Sequence, residues 1–214
     1  MIYEHTAETP YQAWRWAIKT FTSNGLVIDG KKTIDGLIVT EIKHPTDRIE
    51  KNPLYKQMFV DEYKKQFVYI GKRGFEYTYA DRLAAYPDSD LPPHETFNQI
   101  RYIIRELQRN KDSRRAVAIT WNPFVDTVKE DVPCLQLVKC VVVRGRLNME
   151  VVFRSHDILK AYYLNVLGLS YLMDWIINEM GGAVSKGSLR VVSMSPHIYL
   201  DDADYFKVLT GVKL

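Results

Sequence analysis

From Leu135 to Val143 the chain is largely apolar, breaks at Arg144-Gly145-Arg146, and returns through Leu147, Met149, Val151 and Phe153 at every second position. A period of two lines those four side chains along one face of a strand, and a short glycine-containing break between two such runs predicts a β-hairpin. Beyond it, Leu164, Leu167, Tyr171, Leu172, Trp175 and Ile176 recur at helical spacing and predict the longest and most apolar helix of the chain. A hairpin followed by so apolar a helix requires a core that receives both.

The remaining elements read more weakly. Thr9-Pro10, then Trp14, Ala17, Ile18 and Phe21, then Asn24-Gly25, predict a capped helix with a C-terminal stop. Leu37 to Lys43 predicts a strand ended by His44-Pro45. Asn52-Pro53 opens a predicted second helix with an apolar face of Leu54, Tyr55, Met58, Phe59 and Tyr63, on which Glu62 also falls. After Pro92-Pro93, Phe97, Ile100, Ile103, Ile104 and Leu107 predict a third helix, and Arg115 to Trp121 a β-rich run. Leu189 to Val192 and His197-Ile198-Tyr199 suggest a last strand, with Asp201 or Asp202 capping a short terminal helix. Several mostly antiparallel strands beside segregated helices predict an α+β fold with a mixed, largely antiparallel sheet. With 214 residues, 46% of them hydrophobic, and no linker-like stretch, residues 1–214 are expected to form a single domain.

Charge and cysteine usage narrow the function. Lys and Arg outnumber Asp and Glu by only 29 to 26, so no field favours a nucleic-acid polymer or an anionic membrane surface. Two cysteines, Cys134 and Cys140, are too few for a disulfide framework and are not in a zinc-ribbon or thioredoxin spacing, so no metal is expected and a reducing compartment fits. No leader and no membrane-spanning apolar run is legible, which predicts a cytoplasmic protein.

The centre of the candidate chemistry, from Cys134 to Asn165, lies within about thirty residues. Cys134, behind Pro133, stands where a charged loop enters the apolar strand, so its sulfur can face a cavity while the sheet fixes its backbone. Nearby arginines would favour its thiolate; the competing reading is a small core residue, more so for mid-strand Cys140. Arg154 ends the returning strand and Ser155 follows it, so guanidinium and hydroxyl can reach one anion. Arg114 and Arg115 form a second pair that a strand start would turn to opposite faces. Asp157 and Asn165 flank the start of the apolar helix. The Asn165 amide can meet the N–H and carbonyl of a uracil ring, the neutral cytosine edge only if reversed, or it can cap the helix. Glu62 reads as a snorkelling surface group or a buried acid, His197 and Tyr199 as neighbours on one strand face that can meet a sugar hydroxyl, and Tyr79 as a packing residue or proton shuttle.

Taken in order, Asp112-Ser113-Arg114-Arg115, Trp121-Asn122-Pro123, Pro133-Cys134, Arg154-Ser155-His156-Asp157, Asn165 and His197-Ile198-Tyr199 resemble the thymidylate synthase family, which includes the pyrimidine hydroxymethylases. The resemblance runs from Tyr79 to Tyr199. It implies a thymidylate synthase-like homodimer formed through the sheet, in which Cys134 adds to C6 of dUMP and C5 takes a one-carbon unit from 5,10-methylene-tetrahydrofolate or a related methylene-tetrahydropterin. It also implies that Arg154 and Ser155 hold the phosphate, with Arg114 and Arg115 donated across the interface. Asn165 would read the base, His197 and Tyr199 the 3′-hydroxyl, and Asp157 would orient base and pterin. Tyr79 would stand near C5 and Glu62 would be the family's helical glutamate. The sequence departs from the family at Leu135, where histidine is usual, and in lacking the tryptophan-bearing folate segment. A pyrimidine 5-hydroxymethylase and a nucleotide-binding homologue with little turnover are the alternatives.

Overall fold

A computed structural model describes residues 1–46, 52–72 and 76–214. In chain order its strands are β1 (Ile2–Ala7), β2 (Leu26–Ile28), β3 (Lys31–Thr33), β4 (Leu37–Ile42), β5 (Val117–Ile119), β6 (Leu135–Val143), β7 (Arg146–Phe153), β8 (His156–Asp157), β9 (Ser185–Ser193) and β10 (Pro196–Tyr199). Its helices are α1 (Pro10–Ser23), α2 (Gln57–Lys65), α3 (Tyr79–Ala84), α4 (Gln99–Arg109), α5 (Pro123–Asp126), α6 (Ala161–Glu179) and α7 (Ala203–Thr210).

The predicted hairpin is β6 and β7, joined by Arg144 and Gly145, both at positive φ (51° and 73°). A two-residue turn with both residues left-handed matches the strand twist, which is why the hairpin closes tightly here. Around it grows a six-stranded sheet in the order β1-β4-β9-β7-β6-β5, with β4–β9, β7–β6 and β6–β5 antiparallel and β1–β4 and β9–β7 parallel. A smaller sheet, β2-β3-β10-β8, carries the strand ends that follow β7 and β9. The fold is α+β and mixed, as the sequence predicts, but the parallel β7–β9 pair at its centre was not legible. Helix α6 carries the chain between those two strands.

Helix α6 is buried nearly all round, from Tyr162 to Ile176, so its sequence is apolar rather than amphipathic. The Tyr162 hydroxyl meets Thr40 Oγ1 at 2.5 Å, tying the helix to β4. A Cβ at Gly168 would lie 2.2 Å from the Phe67 ring, so α6 admits the segment after α2 only because that position has no side chain. Helix α1 begins as predicted, with the Thr9 hydroxyl accepting from Gln12 N at 3.2 Å and Pro10 at the first helical position.

Several boundaries differ from expectation. Strand β1 was not read from the sequence; it pairs with β4 through its backbone, which polar residues do not prevent. Helix α2 starts at Gln57 rather than after Asn52, because the Asn52 side chain accepts from Leu54 N at 2.9 Å and holds a turn. Its inner face is Val60 and Tyr63, leaving Met58 77% and Phe59 51% exposed. The expected last strand is two strands in different sheets. Asp202 precedes α7 without a side-chain cap bond, its carboxylate instead pairing with Lys160. Among the described residues no helix is long and apolar enough to cross a membrane, and no group of three or more His, Cys, Asp or Glu could hold a metal ion.

Candidate active site

The site gathers where β6 begins and β7 ends. Register shifts between Leu135 and Leu137 opposite Phe153, and this bulge turns the chain just inside Cys134. Arg154 N donates to Cys134 O at 2.9 Å, so nucleophile and guanidinium leave adjacent strands side by side. Arg154 Nε donates to Pro133 O at 3.0 Å and Nη2 to Val132 O at 2.9 Å, with Nη2 3.9 Å from Cys134 Sγ. The loop carbonyls thus fix the guanidinium against the sulfur while Nη1 takes no part in these bonds. Burial pushes the Cys134 thiol above its ordinary range; Arg154 opposes this and Asp131 and Asp157 add to it. The sequence expectation of a favoured thiolate is therefore corrected for the free protein, since desolvation outweighs one guanidinium.

Three tyrosines stand around the sulfur. The Thr78 hydroxyl and the Asp81 carboxylate form a reciprocal cap at the start of α3, which fixes Tyr77 before it and Tyr79 at its first position. The Tyr77 hydroxyl donates to Val132 O at 3.3 Å. Tyr79 lies edge-on to Phe153, ring centroids 6.4 Å apart, and 4.9 Å from Phe67. Tyr63 reaches in from α2, and with Gln66, Tyr77, Thr78, Tyr79 and Asp131 it lines a cleft of about 140 Å³. Burial raises all three phenol pKa values, and the charge of an ionised Cys134 adds to each, so all three lie within electrostatic reach of the sulfur.

Behind them lies a buried neutral network. Asn165, in the first turns of α6, is 3% exposed. Its Oδ1 accepts from the Tyr63 hydroxyl at 2.7 Å, and its Nδ2 is 3.2 Å from His156 Nε2. His156 Nδ1 is 2.8 Å from Ser193 Oγ, and the ring stacks on Phe153 at 4.0 Å. Burial, with a smaller contribution from His197, lowers the His156 pKa to about 3, so the ring is neutral at physiological pH.

β8 and β10 run parallel with His197 opposite Asp157. Asp157 Oδ1 accepts from Leu159 N and Lys160 N at 3.0 and 3.1 Å, turning the chain into α6. Burial raises the Asp157 pKa, against those N–H donors and His197. His197 Nδ1 lies 3.2 Å from the Ser195 carbonyl, which can only accept, so Nδ1 carries the proton. Its Nε2 is then a lone pair, buried and without a hydrogen-bond partner among the described residues. Burial lowers the His197 pKa. Tyr199 packs edge-on against that ring at 5.1 Å, and Ser155 is half-buried beside Arg154.

Thus Cys134, Tyr79, Arg154, Ser155, Asp157, Asn165, His197 and Tyr199 lie on converging strand and helix ends. Glu62 does not join them: its side chain is 58% exposed and pairs with Lys65 at 2.5 Å, because the inner face of α2 is one residue further on. Arg114 and Arg115 are exposed in the turn before β5, opposite the middle of β6. About six residues of extended strand, roughly 20 Å, separate that level from Cys134. Tyr63, Tyr77, His156 and Ser193 were missed. Tyr63 had a signal, the Tyr55, Phe59, Tyr63, Phe67 stripe at four-residue spacing; the others become visible only through their contacts.

A sequence profile of the family described as Thymidylate synthase matches residues 41–210. The chain belongs to the thymidylate synthase family. It is 34% identical over 214 residues to the "Putative thymidylate synthase" of Methanosarcina barkeri (strain Fusaro / DSM 804), covering 96% of this chain and 94% of that one. The protein so named in Methanocaldococcus jannaschii is 45% identical over 164 residues, 74% of this chain and 71% of the relative. That of Methanopyrus kandleri is 30% identical over 202 residues, 91% of each. These relatives are archaeal, and family membership makes the chain a one-carbon-transferring enzyme of the methyltransferase kind.

Proposed function

We propose that this thymidylate synthase family member converts dUMP to dTMP in the cytoplasm, adding Cys134 to C6 of the ring and receiving the one-carbon unit at C5 from a methylene-tetrahydropterin. The observation that carries the reading is the Arg154 guanidinium, held by Val132 and Pro133 carbonyls with Nη2 3.9 Å from Cys134 Sγ. One cation is thereby positioned both to bind a phosphate and to stabilise the thiolate that a buried cysteine otherwise resists forming.

In this reading Arg154 and Ser155 hold the 5′-phosphate and the His197 Nε2 lone pair accepts from the 3′-hydroxyl, with Tyr199 closing the sugar side. Sulfur addition at C6 pushes electrons toward C5 and the ring carbonyl, where Asn165 steadies the developing charge. Tyr79, its hydroxyl kept protonated by burial, cannot itself take the C5 proton; it orients a water molecule that accepts it. A flat reduced pterin fits the remaining groups: Asp157 has an oxygen outside its two backbone bonds, and the Tyr55–Phe59 stack offers a half-open aromatic edge near it. The methylene-pterin, methylene-tetrahydrofolate or a relative, supplies the carbon and the reducing equivalent when bound. Glu62 has no part in this proposal.

The sheet face away from the helices supports a homodimer. There Lys139, Glu150, Arg190 and Glu41 form a ladder of ion pairs at 2.9, 3.1 and 3.0 Å between aligned strand positions, flanked by half-buried Val39, Val152 and Val192. Arg114 and Arg115 are exposed about six strand residues from their own Cys134, which supports a role in a partner's site. One continuous buried core supports a single domain over residues 1–214.

Release of tritium from C5-labelled dUMP in the presence of methylene-tetrahydrofolate, with identification of the pterin product, tests the proposal. Release with dihydropterin supports methylation; tetrahydropterin indicates hydroxymethylation instead. Binding of dUMP without release in the intact chain overturns the enzymatic reading.

A further inference from the structure

Asn165 can read a pyrimidine only if its amide is held one way round. Oxygen and nitrogen ends of an amide have nearly the same shape, so neighbours decide its orientation. Tyr63 does not decide it, because a phenol can donate to Oδ1 or accept from Nδ2 equally well. His156 does, since each of its ring nitrogens is either a donor or an acceptor in the neutral ring. Nε2 faces the amide at 3.2 Å and Nδ1 faces Ser193 Oγ at 2.8 Å, with Ser193 and His156 at 0% and 1% exposure. Only two arrangements satisfy all partners. With the proton on Nδ1, the ring donates to Ser193 and accepts from Asn165 Nδ2, and the amide oxygen takes the Tyr63 hydroxyl. With the proton on Nε2, the amide is reversed.

The structure has the first arrangement. It leaves one lone pair on Oδ1 and one N–H on Nδ2, a pattern complementary to the ring N–H and carbonyl of uracil. The reversed amide presents the opposite pattern, which matches the bare nitrogen and amine of cytosine.

We infer that His156, anchored by Ser193, is the positioning residue that fixes the Asn165 amide and thereby selects a uracil over a cytosine ring. This inference rests on the reading of Asn165 as the base-binding group. Nothing in local sequence points to it: His156 and Ser193 come from β8 and β9, and the stack on Phe153, 13° from parallel, fixes the imidazole plane. A mismatched edge would set donor against donor and acceptor against acceptor in a buried site, which carries a large penalty.

The test compares dUMP and dCMP binding by calorimetry in the full chain, in His156→Phe and in Tyr63→Phe. His156→Phe keeps an aromatic ring on Phe153 but removes both nitrogens. The expected result is a preference for dUMP of roughly 100-fold in the unaltered chain, the upper end of what one unmet buried polar group costs. His156→Phe should cut that preference by about tenfold or more. Tyr63→Phe, which leaves the histidine in place, should change it by less than about threefold even if both nucleotides bind more weakly. An unchanged ratio in His156→Phe overturns the inference while leaving the dUMP reading intact; an unaltered chain that binds neither nucleotide overturns both. Nitrogen-15 NMR of the His156 ring gives a second measurement that needs no variant. A proton on Nδ1 and a bare Nε2 near neutral pH is expected, and a proton on Nε2 overturns the inference.

Discussion

At one end of the site Cys134 is half-buried beside a guanidinium, with Asp131 and Asp157 contributing opposing charge; at the other, Asn165 is 3% exposed and meets a phenol and a neutral imidazole. The first end is built from charges whose balance a bound phosphate would change, so its reactive state is conditional. The second is built from neutral groups that satisfy one another, so its shape is set before anything binds. Chemistry that must be switched on and recognition that must be preset therefore occupy different strand ends.

The contrast is broken most severely at the charged end. Cys134→Ala should lower tritium release from C5-labelled dUMP by about 10³-fold or more while dUMP still protects the fold in thermal denaturation. If release persists, the sulfur is not the nucleophile. Next, Arg154→Leu should weaken dUMP binding on the order of 100-fold, since it removes the charged partner of the phosphate, while Tyr77 and Gln136 still donate to the Val132 and Pro133 carbonyls. Calorimetry checks this, and retention of full affinity would detach the guanidinium from the phosphate.

At the neutral end the effect is on stability. The folded pKa of His156 is lowered to about 3, below the roughly 6.5 of an unfolded histidine. Its contribution is complete above pH 6.5 and is lost as pH falls toward 3, because the unfolded chain takes the proton first. Urea denaturation between pH 7 and pH 5 should record a loss of about 2 kcal/mol from this residue, absent in His156→Gln. A pH profile shared by both proteins would contradict the buried neutral ring. The smallest effect is expected outside both ends: Glu62→Gln should alter tritium release by less than about twofold and stability by less than about 0.5 kcal/mol, since its side chain is 58% exposed and its pair with Lys65 lies at the surface. A large loss there would return Glu62 to the site.

How much of this was legible in the sequence varied with distance along the chain. Cys134, Arg154, Asp157 and Asn165 were found as candidates because they interrupt strong apolar periodicity, and an interruption carries information. Glu62 and Tyr63 are neighbours on α2 and both read onto its apolar face, but only Tyr63 turns inward to Asn165, while Glu62 pairs with Lys65 at the surface. His156 was in plain view within the Arg154-Ser155-His156-Asp157 motif, but its partners lie nine and thirty-seven residues away.

The sequence by itself determined the β6–β7 hairpin, the capped start of α1 and the apolar α6, because turn chemistry, capping and side-chain period act between residues a few positions apart. Only the tertiary structure decided that β7 and β9 lie side by side in parallel, that β1 joins the sheet, and that Tyr63, Asn165, His156 and Ser193 form one line of hydrogen bonds. Those pairings depend on backbone groups that every residue shares and on polar atoms satisfied only once the core has excluded water, and neither leaves a periodic trace in the chain.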